Sequence, residues 1–272
     1  PAMTLATTNF DWVRDLVRRE SAIVLAPGKE YLVESRLAPL ARSAGLVDVD
    51  AYVRVLRANT GLHDEVVEAL TTNETSWYRD VAPFTALRTA VLPGIAATGR
   101  THVRVWSAAC SSGQEPYSIA MTVADHFPGM SLAITATDLS EAVLHKGRSG
   151  QYTQLEVNRG LPAPALVKHF ARAGAMFEIA PALRRQVTFK RHNLLDQPPP
   201  GGPFDIVFLR NVLIYFDVAT KREVLRRVRA ALAPGGYLFL GAAETTIGID
   251  ETWERLTDGG SSVYRAREGK RT

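Results

Sequence analysis

A single cysteine, Cys110, stands in 272 residues, which excludes an internal disulfide framework and agrees with a reducing compartment. No apolar run approaches the ~18 residues that a membrane-crossing helix needs. The stretch Pro1 to Phe10 lacks the charged-then-apolar pattern of a secretory signal, so the expected compartment is the cytoplasm. His63, His102, His126, His145, His169 and His192 show no close ligand spacing, and without a second cysteine no metal site is expected. Also missing are a Gly-x-Gly-x-x-Gly phosphate cradle and a recognisable Ser-His-Asp or paired-carboxylate constellation.

What is present is the composition of an ordinary globular protein, with 46% hydrophobic and 22% charged residues. The net charge is +4. The excess is local: between Leu161 and Pro200, Lys168, Arg172, Arg184, Arg185, Lys190 and Arg191 face only Glu178 and Asp196. Such a cluster is either a solvated face or a docking surface for something negative.

Two textures divide the chain. Residues 10 to 97 read as helices: Phe10, Val13, Leu16 and Val17 form one apolar stripe, and Tyr52, Val55 and Leu56 another. Leu62, Val66, Val67 and Leu70 continue the pattern. Pro39 should kink or split the helix over Tyr31–Ala44. Asp80 and Pro83 open a helix through Phe84, Leu87 and Val91.

After Gly99, strands and helices alternate. Strands are expected at Val103–Trp106, Leu132–Ala136, Phe204–Leu209 and Tyr237–Leu240, the last opened by Gly235-Gly236. Helices are expected over Glu115–His126, from Ser140, and over Val218–Leu232, with Ser262-Val263-Tyr264 in an antiparallel edge. The alternation lapses between Gly150 and Phe189, where short aromatic pieces suggest a small inserted subdomain. The expected fold is α/β: a small all-helical domain over 1–80, then a doubly wound sheet over 81–272, with a β subdomain inserted at about 150–190.

Candidate ligand groups gather where these strands end. The first strand runs into Ser107-Ala108-Ala109-Cys110-Ser111-Ser112-Gly113; its small side chains permit close approach to the backbone, or merely a tight packing turn. Asp138 ends the second strand, where an acid accepts hydrogen bonds from ribose hydroxyls in nucleotide-binding α/β folds. The competing reading is a helix cap. Glu115 in a first helical turn is by itself a dipole complement. Asn193-Leu194 and Arg210-Asn211-Val212 follow two further strands on the same rim.

At this point the motifs resemble a known family. Asn73-Glu74-Thr75-Ser76-Trp77-Tyr78-Arg79 is similar to the N-x-T-x-F-F-R segment of the chemotaxis receptor methyltransferases, the CheR family. Arg104 to Ser118, Ala136-Thr137-Asp138-Leu139-Ser140 and Phe204 to Asp217 resemble three further motifs, in order, from about residue 10 to 265. The resemblance implies S-adenosylmethionine as methyl donor, S-adenosylhomocysteine as product and receptor glutamates as acceptors. On matching positions it implies donor contacts at Asn73, Thr75, Arg79, Glu115, Asp138, Asn193, Leu194, Asn211 and Val212. Arg79 and Tyr215 would lie nearest the methyl transfer, against structural readings as a surface ion pair and a sheet-edge filler.

A glutamate with a pKa near ~4.3 is already ionised at neutral pH and needs no general base, so the sparse site suits this reaction. Departures from the family pattern are Trp77-Tyr78 for Phe-Phe, Gln114 for Glu, and Gly241-Ala242-Ala243-Glu244 for Gly-His-Ser-Glu. Competing readings are a methyltransferase acting on RNA or a small molecule, and a non-catalytic adaptor. Few aromatics interleave the basic cluster, which counts against RNA. Some family members dock on a peptide tethered at the receptor C-terminus through a longer glycine-containing loop. The matching stretch, Ala171 to Phe177, is short. The expected partner is therefore the receptor's cytoplasmic domain, met by Arg36, Arg42, Arg184 and Arg185 without a tethered pentapeptide. Nucleic acid binding and membrane insertion are not expected, and a monomer is.

Overall fold

The computed structural model describes residues 5–256 and 262–267. The described residues form two compact units, one within 1–72 together with 215–220, the other of 73–214 with the described residues from 221 on. The first unit therefore ends ahead of residue 80, and the segment from Asn73 belongs with the sheet.

The first unit holds α1 (Thr7–Ser21), α2 (Glu30–Ser43), α3 (Val49–Ala58) and α4 (His63–Leu70). Their apolar stripes share one core in which Phe10, Val13, Val17, Val33, Leu37, Leu56 and Val66 are buried. Asp48 caps α3, its carboxylate accepting from the Ala51 N–H at 2.7 Å. One local expectation fails here, and of the kink or split expected at Pro39 the split does not occur. Val55 is exposed, and the buried face of α3 is Val49, Tyr52, Val53 and Leu56, the i, i+3, i+4, i+7 spacing of one helix face. Pro39 does not split α2, which runs unbroken through it. Ser35, one turn earlier, and Pro39 are both exposed, so the break in the hydrogen-bond ladder falls on the helix's exposed face.

The second unit opens with α5 (Ala82–Ala86), a π-helical turn at Leu87–Val91, and α6 (Leu92–Ala96). Then come β1 (His102–Ala108), α7 (Gln114–His126), β2 (Ser131–Asp138) and α8 (Glu141–Ser149). The insertion follows as β3 (Gln151–Tyr152), α9 (Gln154–Val157), α10 (Ala163–His169), β4 (Phe170–Ala173), β5 (Met176–Ile179) and α11 (Pro181–Arg184). The chain then returns through β6 (Val187–Arg191) and β7 (Phe204–Leu209) to α12 (Val218–Ala231), β8 (Leu232–Leu240), β9 (Trp253–Arg255) and β10 (Val263–Ala266).

The main sheet has the order β6-β2-β1-β7-β8-β10-β9. Its first five strands are parallel, and β10 runs antiparallel to both β8 and β9. All six residues of β7 are buried, as befits a central strand of a sheet covered on both faces. The second sheet, β3-β5-β4, is antiparallel and spans 151–179. The insertion is thus shorter than 150–190, because Val187–Arg191 is a parallel strand of the main sheet. Likewise β8 begins at Leu232, well ahead of the expected Tyr237, with a register shift opposite Phe204–Ile206.

The order reverses beside β1, so the loops after β1, β2, β6 and β7 converge over the carboxyl edge. That crevice is where open parallel sheets take their ligands.

Candidate active site

Two hydrogen-bonded chains knit that edge together. In the first, Ser111 of the loop after β1 donates its hydroxyl to the Asn73 carbonyl at 3.0 Å. The Ser111 N–H donates to Asp138 Oδ2 at 2.9 Å, and the other Asp138 oxygen accepts the Ser140 N–H at 3.0 Å. The cap of α8 itself is Ser140, whose hydroxyl accepts from Val143. Asp138 is thus a buried carboxylate linking two loops rather than the helix cap. Its carbonyl accepts the His192 N–H at 3.0 Å, which brings Asn193 alongside. Asn193 folds its own turn, with Oδ1 accepting from the Leu195 N–H at 3.0 Å. Leu194 and Thr75 are half-buried.

The second chain centres on Arg210, whose side chain is 1% exposed at the end of β7. It pairs with Asp80 at 2.7 Å and Glu115 at 3.2 Å, and donates to the Arg79 carbonyl at 2.9 Å. Glu115 also accepts the Ser107 hydroxyl at 2.9 Å. One buried cation therefore holds three segments. Burial raises the Glu115 pKa above its ordinary value, with Arg210, Ser107 and Arg79 opposing. The Arg79 guanidinium donates to the Glu74 carbonyl at 3.0 Å.

Backbone strain collects at the same edge. Seven non-glycine residues have positive φ among the described residues, and six of them lie in these loops: Tyr78, Asp80, Val81, Ala109, Ser111 and Asn211. Val81, at φ 51° and ψ −52°, sits in a γ-turn closed from the Ala82 N–H to the Asp80 carbonyl, a costly conformation for a β-branched residue. Val81 itself is exposed, whereas the segment just before it is anchored. Trp77 is buried, edge-on to Tyr152 and Phe170 with centroids 4.8 and 5.4 Å away, and its indole N–H donates to the Glu156 carbonyl at 3.1 Å. The Trp77-Tyr78 pair is thus a packing element tying the Asn73–Arg79 segment to the insertion.

Nine expected positions, Asn73, Thr75, Arg79, Glu115, Asp138, Asn193, Leu194, Asn211 and Val212, fall in the second unit on segments at this edge. Tyr215 falls in the other unit, where its carbonyl accepts from the Val24 N–H at 2.9 Å. Sequence reasoning missed Ser111, Asp80 and Arg210 as connectors. A charged residue directly after the apolar strand Phe204–Leu209 was the available signal. Cys110 supplies no nucleophile: burial, then the Asp138 and Glu115 charges, push its thiol well above the ordinary value. Among the described residues, no group of three or more His, Cys, Asp and Glu is placed to hold a metal ion.

A small-residue loop, an acid ending the second strand and a seven-stranded sheet with one antiparallel strand inserted near its edge define an S-adenosylmethionine-dependent methyltransferase fold. Residues 73–260 match the family model "CheR methyltransferase, SAM binding domain", and 8–71 match "CheR methyltransferase, all-alpha domain". The chain is 41% identical to chemotaxis protein methyltransferase 1 of Pseudomonas aeruginosa, over 97% of this chain and 100% of that one. It is 41% identical to a chemotaxis protein methyltransferase of Vibrio parahaemolyticus, over 97% and 100%. With that of Escherichia coli it shares 37%, over 96% and 92%. This chain belongs to the CheR methyltransferase family, and its cofactor is S-adenosylmethionine.

Proposed function

We propose that this protein methylates glutamate side chains of chemoreceptor cytoplasmic helices, forming methyl esters, and that it does so in the cytoplasm as a monomer. The observation that carries the reading is the pair of buried carboxylates on one rim: Asp138 between the loops after β1 and β2, and Glu115 beside Arg210. Asp138 suits ribose hydroxyls and Glu115 suits an ammonium group, while Ala108, Ala109, Ser111 and Ser112 leave the backbone open to close approach. Bound S-adenosylmethionine supplies a methyl group on a sulfonium that leaves as a neutral thioether.

The chain's own residues mainly align and desolvate. Asn73, Thr75, Asn193, Leu194, Asn211 and Val212 frame the donor, Arg79 steers the incoming carboxylate, and Tyr215 hydrogen-bonds near the reacting atoms. Both reactants lose their charge as the bond forms, so neither a base nor an oxyanion hole is required. Alignment alone supplies on the order of 7–11 kcal/mol in favourable cases. No described helix is long and apolar enough to cross a membrane.

The test is incubation with labelled donor and a receptor cytoplasmic fragment. Label should enter the fragment and disappear when its acceptor glutamates are replaced by alanine; labelling that survives that replacement would refute a glutamate acceptor.

A further inference from the structure

The carboxylate of Glu244 is buried, at 6% exposure, immediately after β8. It accepts four backbone N–H groups: Asn211 at 2.6 Å, Gly241 at 2.8 Å, Val212 at 3.1 Å and Ile214 at 3.2 Å. Three of these lie in the turn after β7, where Asn211 holds a left-handed φ of 59°. No helix or strand ladder uses those N–H groups, so the carboxylate replaces the partners that regular structure would give. The fit is close. A Cβ at Gly241 would lie 2.6 Å from Glu244 Oε1 and 3.0 Å from the Asn211 N, and only glycine fits there. The next residue after this turn is Tyr215.

We infer that Glu244 is a positioning residue: its carboxylate, held against four N–H groups, shapes the 211–214 turn so that Asn211 and Val212 meet the donor. The inference rests on the proposed donor contacts of Asn211 and Val212. An acid at 244 is specifically required, because only a carboxylate presents acceptors alone. A glutamine of the same shape turns an N–H₂ group towards N–H donors. The misfit is local, since the sheet strands keep their own ladders.

The experiment compares Glu244→Gln, Glu244→Asp and Asn211→Ala in the full chain, reading product affinity by calorimetry, kcat and KM, and amide exchange by residue. Glu244→Gln should weaken affinity for S-adenosylhomocysteine by at least about tenfold. Exchange should quicken at residues 211, 212, 214 and 241 while β1, β2 and β7 stay protected. Glu244→Asp keeps the charge and should recover part of the affinity. If Asn211→Ala weakens binding but Glu244→Gln leaves it intact, positioning is refuted and the donor reading stands. If neither weakens binding, Asn211 is no donor contact and both fall together. Should the glutamine variant fail to fold, the aspartate variant decides: fast exchange at 211–214 with unaltered affinity overturns the inference.

Discussion

At the scale of single residues, the account turns on carboxylates taken out of water and given specific partners. Asp138→Ala removes an acceptor that orders Ser111 and, in our proposal, holds the ribose. Donor affinity should fall by about 1.5–3 kcal/mol, the usual cost of losing a charged hydrogen-bond partner. Unchanged calorimetric affinity in a folded variant would remove Asp138 from the site. Glu115 carries a pH signature. Burial raises its pKa above 4.5, so on acidification it is protonated earlier than an ordinary carboxylate, and the pair with Arg210 is lost. Donor affinity should therefore fall on the acid side at a pH above 4.5, and Glu115→Gln should abolish that limb. The sign for stability is opposite. The folded chain holds this proton more tightly than the unfolded chain, so the contribution is complete below 4.5 and is lost as pH rises through the raised value. A donor-binding limb identical in wild type and Glu115→Gln would contradict the assignment.

Among the elements, the insertion is tied through Trp77 to the Asn73–Arg79 segment, which our proposal places at the donor. Gly160 has φ 96°, and a Cβ there would lie 2.3 Å from the Trp77 carbonyl oxygen. Gly160→Ala must therefore displace the Asn73–Arg79 segment. We expect destabilisation of about 1–3 kcal/mol, as for overpacked cores, with weakened donor binding and near-native spectra of the main sheet. Native donor affinity would show that the segment does not depend on this anchor. The parallel strands were legible because each is a short apolar run ending in small or polar residues. The same pattern placed Asp138, Asn193 and Asn211 on one rim. What escaped was long-range. Arg210 and Asp80 are 130 positions apart, and no local pattern marks them as partners. Glu244 was noticed for the residues around it, not for the turn it accepts from. At Pro39 the sequence shows the missing N–H but not that the helix runs on through it. Val55 misled because Val53 and Val55 compete for one stripe until packing chooses.

For the whole molecule, the net positive charge resolves into engaged and exposed groups. Lys168 pairs with Asp125 at 2.6 Å, and Arg184 bonds Glu178 at 2.9 Å and the Ser149 carbonyl at 3.0 Å. Arg36 donates to the Ala69 and Thr71 carbonyls at 3.1 and 2.9 Å. Arg42, Arg185 and Lys190 are exposed, and we propose that they meet acidic receptor surfaces. The turn from β4 to β5 is only Gly174-Ala175, which supports docking without a tethered peptide. Methylation of a receptor fragment lacking its C-terminal tail should then fall steeply with salt, because the Debye length shrinks from ~10 Å at 0.1 M to ~3 Å at 1 M. Micromolar binding of a tail pentapeptide, or salt-insensitive methylation, would contradict this.

The central claim is that a carboxylate oxygen takes the methyl group. It is tested most directly by the alkali lability of the label on methylated receptor fragment. Mild base should release it as volatile methanol, the behaviour of an ester, and Tyr215→Phe should slow its appearance at saturating donor. Label that stays on the fragment through the alkaline step would mean transfer to nitrogen or sulfur and would contradict the account.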